Sequence, residues 1–336
     1  MSDFTQSLTT LVSTLPQSGR VFSNSLSWVL LSNGLTEFDE NLIFFGFEEE
    51  NAKPVLVAKV PRLPKNIYVI QTEYERLTEV WACLGDKAQY HIPQPIALSN
   101  VQGQPVLITT YVNGENLLRL DITDNEDEFL QFSIHVANSL RELLDSTLTK
   151  LDSDEAIRLE FSQKTEKFKQ MYSLQDSEIT AVDNLRAEIE SNEKIASSKI
   201  LIHGDFWHGN IIREPIRGDL LLVDWQYSYW TNDASQDVYL FLLAGALATT
   251  PSLDKPQERA IKTMQVIKNW NENVIKAYLS AFGLPQNYNL LSMRSGMLMC
   301  CVEKGVRASL ELGFDREEDL VWFFLFRELL NWFNEK

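Results

Sequence analysis

Three runs near the start of the chain, Ser27 to Leu31, Asn41 to Phe47 and Pro54 to Val60, concentrate β-branched and aromatic residues. The turn-like stretches Ser32-Asn33-Gly34 and Glu48 to Lys53 separate them, a pattern that predicts strands. From Asn66 to Leu84 the period changes, and Ile70, Leu77, Val80, Trp81 and Leu84 fall at helical spacing. Two further strands are expected at Ile96 to Leu98 and Val106 to Tyr111, and residues 4 to 15 read as a short helix outside the main fold. Beyond the Asn113-Gly114 turn the pattern is mostly helical. An apolar stripe of Phe129, Phe132, Val136, Leu140, Leu143 and Leu144 marks a helix over 125–148, and others are expected at 153–173, 177–193, 235–249, 255–282, 288–312 and 315–335. Short strands at Lys199 to Ile202 and Asp219 to Asp224 interrupt them. The change of character divides the chain into residues 1–112 and 113–336.

A length of 336 residues supports two lobes, each with its own core. The 44% apolar and 23% charged composition is that of a folded globular protein. A formal charge of −17 repels nucleic acid and anionic membrane surfaces, so neither is an expected partner, and it favours a neutral or cationic small molecule. The N-terminus lacks a basic flank followed by an apolar run, and no apolar stretch reaches the roughly 20 residues that cross a bilayer. Cys83, Cys300 and Cys301 match neither a relaxed disulfide nor a zinc spacing, and read as buried thiols of a reducing compartment. A cytoplasmic location is the expectation. Four histidines offer little material for a metal cage.

The densest chemical signal is His203-Gly204-Asp205-Phe206-Trp207-His208-Gly209-Asn210, which follows an apolar strand. Leu221-Leu222-Val223-Asp224-Trp225-Gln226 lies further on, with Asp224 fourteen residues beyond Asn210. Phosphoryl transfer needs a carboxylate to hold the attacking hydroxyl and oxygen ligands for Mg2+, which neutralises developing charge. Asp205 suits the first task, and Asn210 and Asp224 suit the second. The Asp-to-Asn spacing equals that of the protein-kinase catalytic loop, with glycine in place of arginine before the aspartate.

In this form the loop resembles the aminoglycoside phosphotransferase and choline kinase family, whose signature is His-Gly-Asp-x-x-x-x-Asn followed by an Asp-Trp-Glu or similar segment, here Asp-Trp-Gln. The resemblance implies an α+β, two-lobed protein-kinase-like fold, with a small antiparallel sheet and one helix in the first lobe and a larger, mainly helical second lobe. It implies a small-molecule kinase that moves the γ-phosphoryl group of ATP or GTP, with Mg2+, onto a hydroxyl acceptor. Val57-Ala58-Lys59-Val60 looks like the strand whose lysine grips the α and β phosphates, and Glu73 looks like its helix partner. Glu75 is a rival, but residues two apart on a helix face different directions. Thr110, Tyr111 and Val112 correspond to the hinge that meets the nucleobase, and Gly34 supplies backbone freedom to the phosphate-covering loop. Asp237 resembles the aspartate that braces the catalytic loop, with His203 as a structural imidazole.

Plainer readings stand beside these. His-Gly-Asp can be a turn, Asn113-Gly114 a hairpin turn, and Trp207 and Trp225 either an acceptor wall or core. Glu303, Glu311 and Asp315 to Asp319 read as a solvated helix face, and Trp322, Phe323, Phe326 and Trp332 as core. The poverty of glycine in Leu31 to Phe38 motivates a second function, a scaffold that binds nucleotide without turnover.

Overall fold

The computed structural model describes residues 2–15, 25–32, 41–49, 51–117, 126–150, 155–191, 198–231, 233–250, 255–270, 272–282, 292–312 and 321–335. It divides into two compact units, residues 1–119 with 209–228, and residues 120–208 with 229–336.

The first unit is built on a five-stranded antiparallel sheet. Helix α1 (Ser2–Thr14) precedes β1 (Ser27–Ser32), β2 (Asn41–Phe47) and β3 (Leu56–Pro61); α2 (Ile67–Leu84) follows, then β4 (Pro95–Val101) and β5 (Gln104–Thr110). The spatial order is β1-β2-β3-β5-β4. Alternation along β3 explains the two sides. Leu56, Ala58 and Val60 are buried in one core with Leu8 and Val12 of α1, Phe44 of β2, and Val106 and Ile108 of β5. Each such Leu or Val contributes about 1.5–3 kcal/mol through burial. Lys59 points the other way, toward α2, whose buried positions Val69, Ile70, Glu73, Leu77, Val80 and Leu84 recur at helical spacing.

The same unit takes in a hairpin from later in the chain. Ile211–Arg213 pairs antiparallel with Leu220–Leu222 and, on its other edge, with Glu115–Asn116. The Leu222 N–H donates to the His91 carbonyl at 2.7 Å, which anchors the hairpin beyond α2.

The second unit is mainly helical: α3 (Glu126–Thr147), α4 (Glu155–Met171), α5 (Asp176–Ser191), α6 (Ser235–Ala248), α7 (Pro256–Asn269), α8 (Glu272–Ala281), α9 (Met293–Leu312) and α10 (Val321–Glu335). Ser198–Ile202 forms the middle of a three-stranded sheet between Thr149–Lys150 and Tyr229–Thr231. Helix α6 is buried on all sides over 235–247, with polar Ser235, Gln236 and Asp237 in its first turn and an apolar run after them. No described helix is long and apolar enough to cross a membrane.

Three local expectations are corrected. The helix expected over 255–282 is interrupted at Trp270, whose ψ of 118° is extended rather than helical. Cys83 is exposed, because it lies off the buried stripe of α2, whereas Cys300 and Cys301 are buried. Glu303 is not on a solvated face: it is 6% exposed and bound on both sides, by Lys164 Nζ at 3.1 Å and by the Tyr229 hydroxyl at 2.8 Å. Phe323, Phe326 and Trp332 of α10 are core. Residues 313–320, and with them Asp315 to Asp319, lie outside the described residues.

Candidate active site

In the first unit the sheet, α2 and the hairpin bring three charged side chains together. Lys59 Nζ donates to both carboxylate oxygens of Glu73, at 2.7 and 2.8 Å, and to Asp224 Oδ1 at 2.8 Å. Glu73 is buried, while Glu75 is exposed on the far side of the helix. Burial alone would lower the lysine's pKa, but Asp224 and Glu73 outweigh it and hold Lys59 well above its ordinary value, fully charged. Burial pushes Glu73 up, and Lys59 opposes that rise. One ammonium thus serves two carboxylates, and its local charge sum is negative, a setting that accepts further cationic charge.

Asn210 and Asp224 reach the same end of the hairpin through its register. Leu222 pairs with Ile211, so the next residues outward are Val223 and Asn210, and the Val223 N–H donates to the Asn210 carbonyl at 2.9 Å. The fourteen-residue spacing is the length of that hairpin. Asp224 then adopts a left-handed conformation (φ 69°, ψ 60°), unusual for a non-glycine residue, which ends the strand short of its expected limit. Its Oδ2 accepts from Gln226 Nε2 at 3.5 Å, and Gln226 Oε1 accepts from Asn41 Nδ2 at 3.3 Å. Trp225 is core rather than wall: it is 0% exposed, and its indole N–H donates to the Leu222 carbonyl.

Sheet pairing consumes two of the three expected hinge amides. The Thr110 N–H donates to the Gln94 carbonyl at 3.0 Å and the Tyr111 N–H to the Val55 carbonyl at 2.9 Å. Val112 follows them, beyond the end of β5. Gly34 lies outside the described residues.

In the second unit the strand 198–202 delivers His203, Gly204 and Asp205 to the N-terminal turn of α6. Both Asp237 carboxylate oxygens accept backbone N–H bonds, from His203 at 2.6 Å and from Gly204 at 2.9 Å. Burial pushes the Asp237 carboxyl up to about 7, against the pull of those two N–H groups. His203, also fully buried, turns its Nδ1 to accept the Asp205 N–H at 3.3 Å. Gly204 sits at φ 74°, where a side chain would be strained, and this turn aims Asp205. His208 is buried, stacked on Phe241 at 4.3 Å, and burial lowers its pKa to about 4. A neutral ring in an apolar stack is a packing element rather than a ligand. Trp207 is half-buried.

Two partners of Asp205 are absent from the motif reading. Lys304 Nζ and Asp205 Oδ1 form a close ion pair, and the Arg307 guanidinium donates to the same oxygen at 3.1 Å and to the Gly204 carbonyl at 3.1 Å. Burial alone would raise Asp205; Lys304 and then Arg307 overcome it and hold the carboxyl well below its usual range, so it is ionised. No local signal pointed to this pairing, because α9 carries Arg294, Glu303, Lys304, Arg307 and Glu311 among its apolar positions.

The model of the phosphotransferase enzyme family (APH) matches residues 43–270, about two thirds of the sequence. The chain belongs to this family. The phosphotransferase also shares its fold with solved structures. A Ralstonia eutropha JMP134 protein provisionally assigned as an aminoglycoside phosphotransferase superposes with a TM-score of 0.63 at 13% identity, covering 97% of this chain and 95% of that one. Choline kinase LicA from Streptococcus pneumoniae gives 0.58 at 15% identity, over 93% and 94%. The ADP-bound aminoglycoside phosphotransferase APH(2'')-Ib gives 0.52 at 18%, over 90% and 92%. No curated protein matches the phosphotransferase by sequence. The two-lobed kinase-like fold expected from the catalytic-loop motif is therefore the fold of this enzyme. Among the described residues there is no group of three or more His, Cys, Asp or Glu that could hold a metal.

Proposed function

We propose that the protein is a cytoplasmic small-molecule kinase that transfers the γ-phosphoryl group of ATP or GTP to a hydroxyl acceptor. The observation that carries this reading is the Lys59–Glu73–Asp224 cluster, with Asn210 held at the same hairpin end. Lys59, which donates to Glu73, holds the α and β phosphates in this reading. Asn210 and Asp224 offer oxygen donors that fit Mg2+, which takes few protein ligands and completes its shell with phosphate oxygens and water. When bound, the ion would neutralise charge on the transferring group. Tyr111 and Val112 mark the segment for the nucleobase, and Gly34 the loop over the phosphates.

Asp205 is the acceptor's residue. It is ionised, so it accepts the hydroxyl proton and orients the oxygen for in-line attack. A bond forms between the acceptor oxygen and the γ phosphorus; the bond from that phosphorus to the bridging oxygen breaks, and the nucleoside diphosphate leaves. Asp237 and His203 hold the backbone that carries Asp205. Asn210 follows Asp205 by five positions in the sequence. The negative net charge favours a neutral or cationic acceptor. The reading is tested by Mg2+-dependent consumption of ATP and GTP against pooled acceptors. Stimulated turnover that is lost in Asp224→Ala is expected. Nucleotide binding without turnover for any acceptor would instead favour a scaffold.

A further inference from the structure

We infer that Lys304 is a positioning residue for phosphoryl transfer, whose Nζ fixes the orientation in which the Asp205 carboxylate meets the acceptor hydroxyl. The inference rests on the reading of Asp205 as the group that holds that hydroxyl.

Two helices divide the work of holding the catalytic loop. Helix α6 holds its backbone: the Asp237 carboxylate accepts the N–H groups of His203 and Gly204, and Gln236 Nε2 donates to the Gly204 carbonyl at 3.2 Å. Contacts to the backbone leave a side chain its own rotations about χ1 and χ2. A carboxylate that lines up with an acceptor oxygen needs one of those rotamers selected, because misplacement by about 1 Å can cost about 100-fold in rate. Helix α9 supplies the selecting contact. Lys304 Nζ and Asp205 Oδ1 form a close pair, and the same Nζ lies 3.5 Å from the Gly204 carbonyl oxygen. One atom thus touches both the side chain and the backbone turn that aims it.

Lys304 is itself carried on a fixed stretch of helix. Glu303 is bound by Lys164 Nζ at 3.1 Å and by the Tyr229 hydroxyl at 2.8 Å, and the Gly305 carbonyl accepts the Tyr172 hydroxyl at 3.0 Å. A Cβ on Gly305 would lie 3.0 Å from the Phe168 ring, so α9 comes close to α4 at this point. The Lys304 side chain is 8% exposed, whereas that of Arg307, which reaches the same Asp205 oxygen, is 26% exposed, so the lysine is the more confined of the two. Stability does not account for a lysine in this position. A buried ion pair adds little over apolar residues of the same volume, and burial, then Arg307, lower the Lys304 pKa against the pull of Asp205. Holding a carboxylate oxygen needs an N–H donor at a fixed place, and Nζ remains one with or without its third proton.

The test is a double-mutant cycle in the full-length protein, with Mg2+, nucleotide and the acceptor that responds in the pooled screen. Lys304→Met, Asp205→Asn and the double variant are compared with the wild type by kcat and by calorimetric nucleotide affinity, once urea unfolding has shown each to be folded. Lys304→Gln replaces Lys304→Met if the latter does not fold. Lys304→Met is expected to lower kcat about 10- to 100-fold, with nucleotide affinity changed by less than about threefold. In the Asp205→Asn background the same substitution should change kcat by less than about threefold, because the group it acts through is gone. An equal fall in both backgrounds, an unchanged kcat in Lys304→Met, or a loss of nucleotide affinity overturns the inference while leaving the kinase reading intact. So does a chain that unfolds with either substitution, which would make Lys304 a structural residue. Near-wild-type transfer by Asp205→Asn, or no transfer to any acceptor, removes the reading of Asp205 and this inference with it.

Discussion

Replacing Lys59 with Met removes the one ammonium from a cluster of two carboxylates and leaves Glu73, 1% exposed, with a backbone contact from Trp225 as its remaining stabiliser. A buried carboxylate in that position relieves itself by taking up a proton. At pH 7 the free energy of protonating a carboxyl of ordinary pKa 4.5 is about 1.36 × 2.5, or about 3.4 kcal/mol, which caps the penalty from this group. The sign follows from the direction of the shift. Burial raises the folded pKa of Glu73 above its unfolded value, and loss of Lys59 raises it further. The variant therefore keeps its stability below about pH 4.5 and loses it as the pH rises, by up to about 1.4 kcal/mol per unit. Urea unfolding of the wild type, Lys59→Met and the double variant Lys59→Met/Glu73→Gln at pH 5 and pH 7 reads this directly. The gap between wild type and Lys59→Met should widen toward pH 7, and the double variant should close most of it. A gap that stays flat or narrows, or a double variant no more stable than the single one, would refute the electrostatic account of the cluster.

Three further outcomes follow from the second unit. His208, held neutral by burial with a pKa of about 4, must be desolvated as a free base, so its contribution is present above about pH 6.5 and is lost as the pH falls through 4. His208→Gln should flatten the wild-type loss by about 3 kcal/mol between those limits in urea titrations. Gly296→Ala would place a Cβ 2.1 Å from the ring of buried Tyr239, and should lower stability by about 1–3 kcal/mol as seen by the thermal midpoint. Asp237→Ala removes the acceptor for two buried N–H groups, and should cost about 2–4 kcal/mol and turnover together, read by urea unfolding and by phosphoryl transfer.

The first unit was legible in the sequence because its signals are local. Period-2 runs mark β2 and β3, the helical period marks α2, and the same periodicity separates buried Glu73 from exposed Glu75. The spacing of Asn210 and Asp224 foretold two polar loops after strands, and the register of the hairpin explains why they end side by side, although the strand 211–213 itself went unread. What escaped was long-range. Lys304 and Arg307 meet Asp205 across about a hundred residues of chain, and no local pattern encodes that pairing. Glu303 looked like a surface charge because helical period alone does not reveal that Tyr229 and Lys164 cover it. The break at Trp270 escaped because the apolar pattern on either side is continuous, while the backbone at that residue is extended.

The central claim is that Asp205 holds the acceptor hydroxyl for attack on a nucleotide whose phosphates are gripped by Lys59. Its most direct measurement is acceptor-stimulated, Mg2+-dependent phosphoryl transfer by the wild type and by Asp205→Asn, with nucleotide affinity determined in parallel. The account predicts transfer by the wild type, a loss of at least about 100-fold in kcat for Asp205→Asn, and nucleotide affinity changed by less than about threefold. Near-wild-type transfer by Asp205→Asn would contradict it.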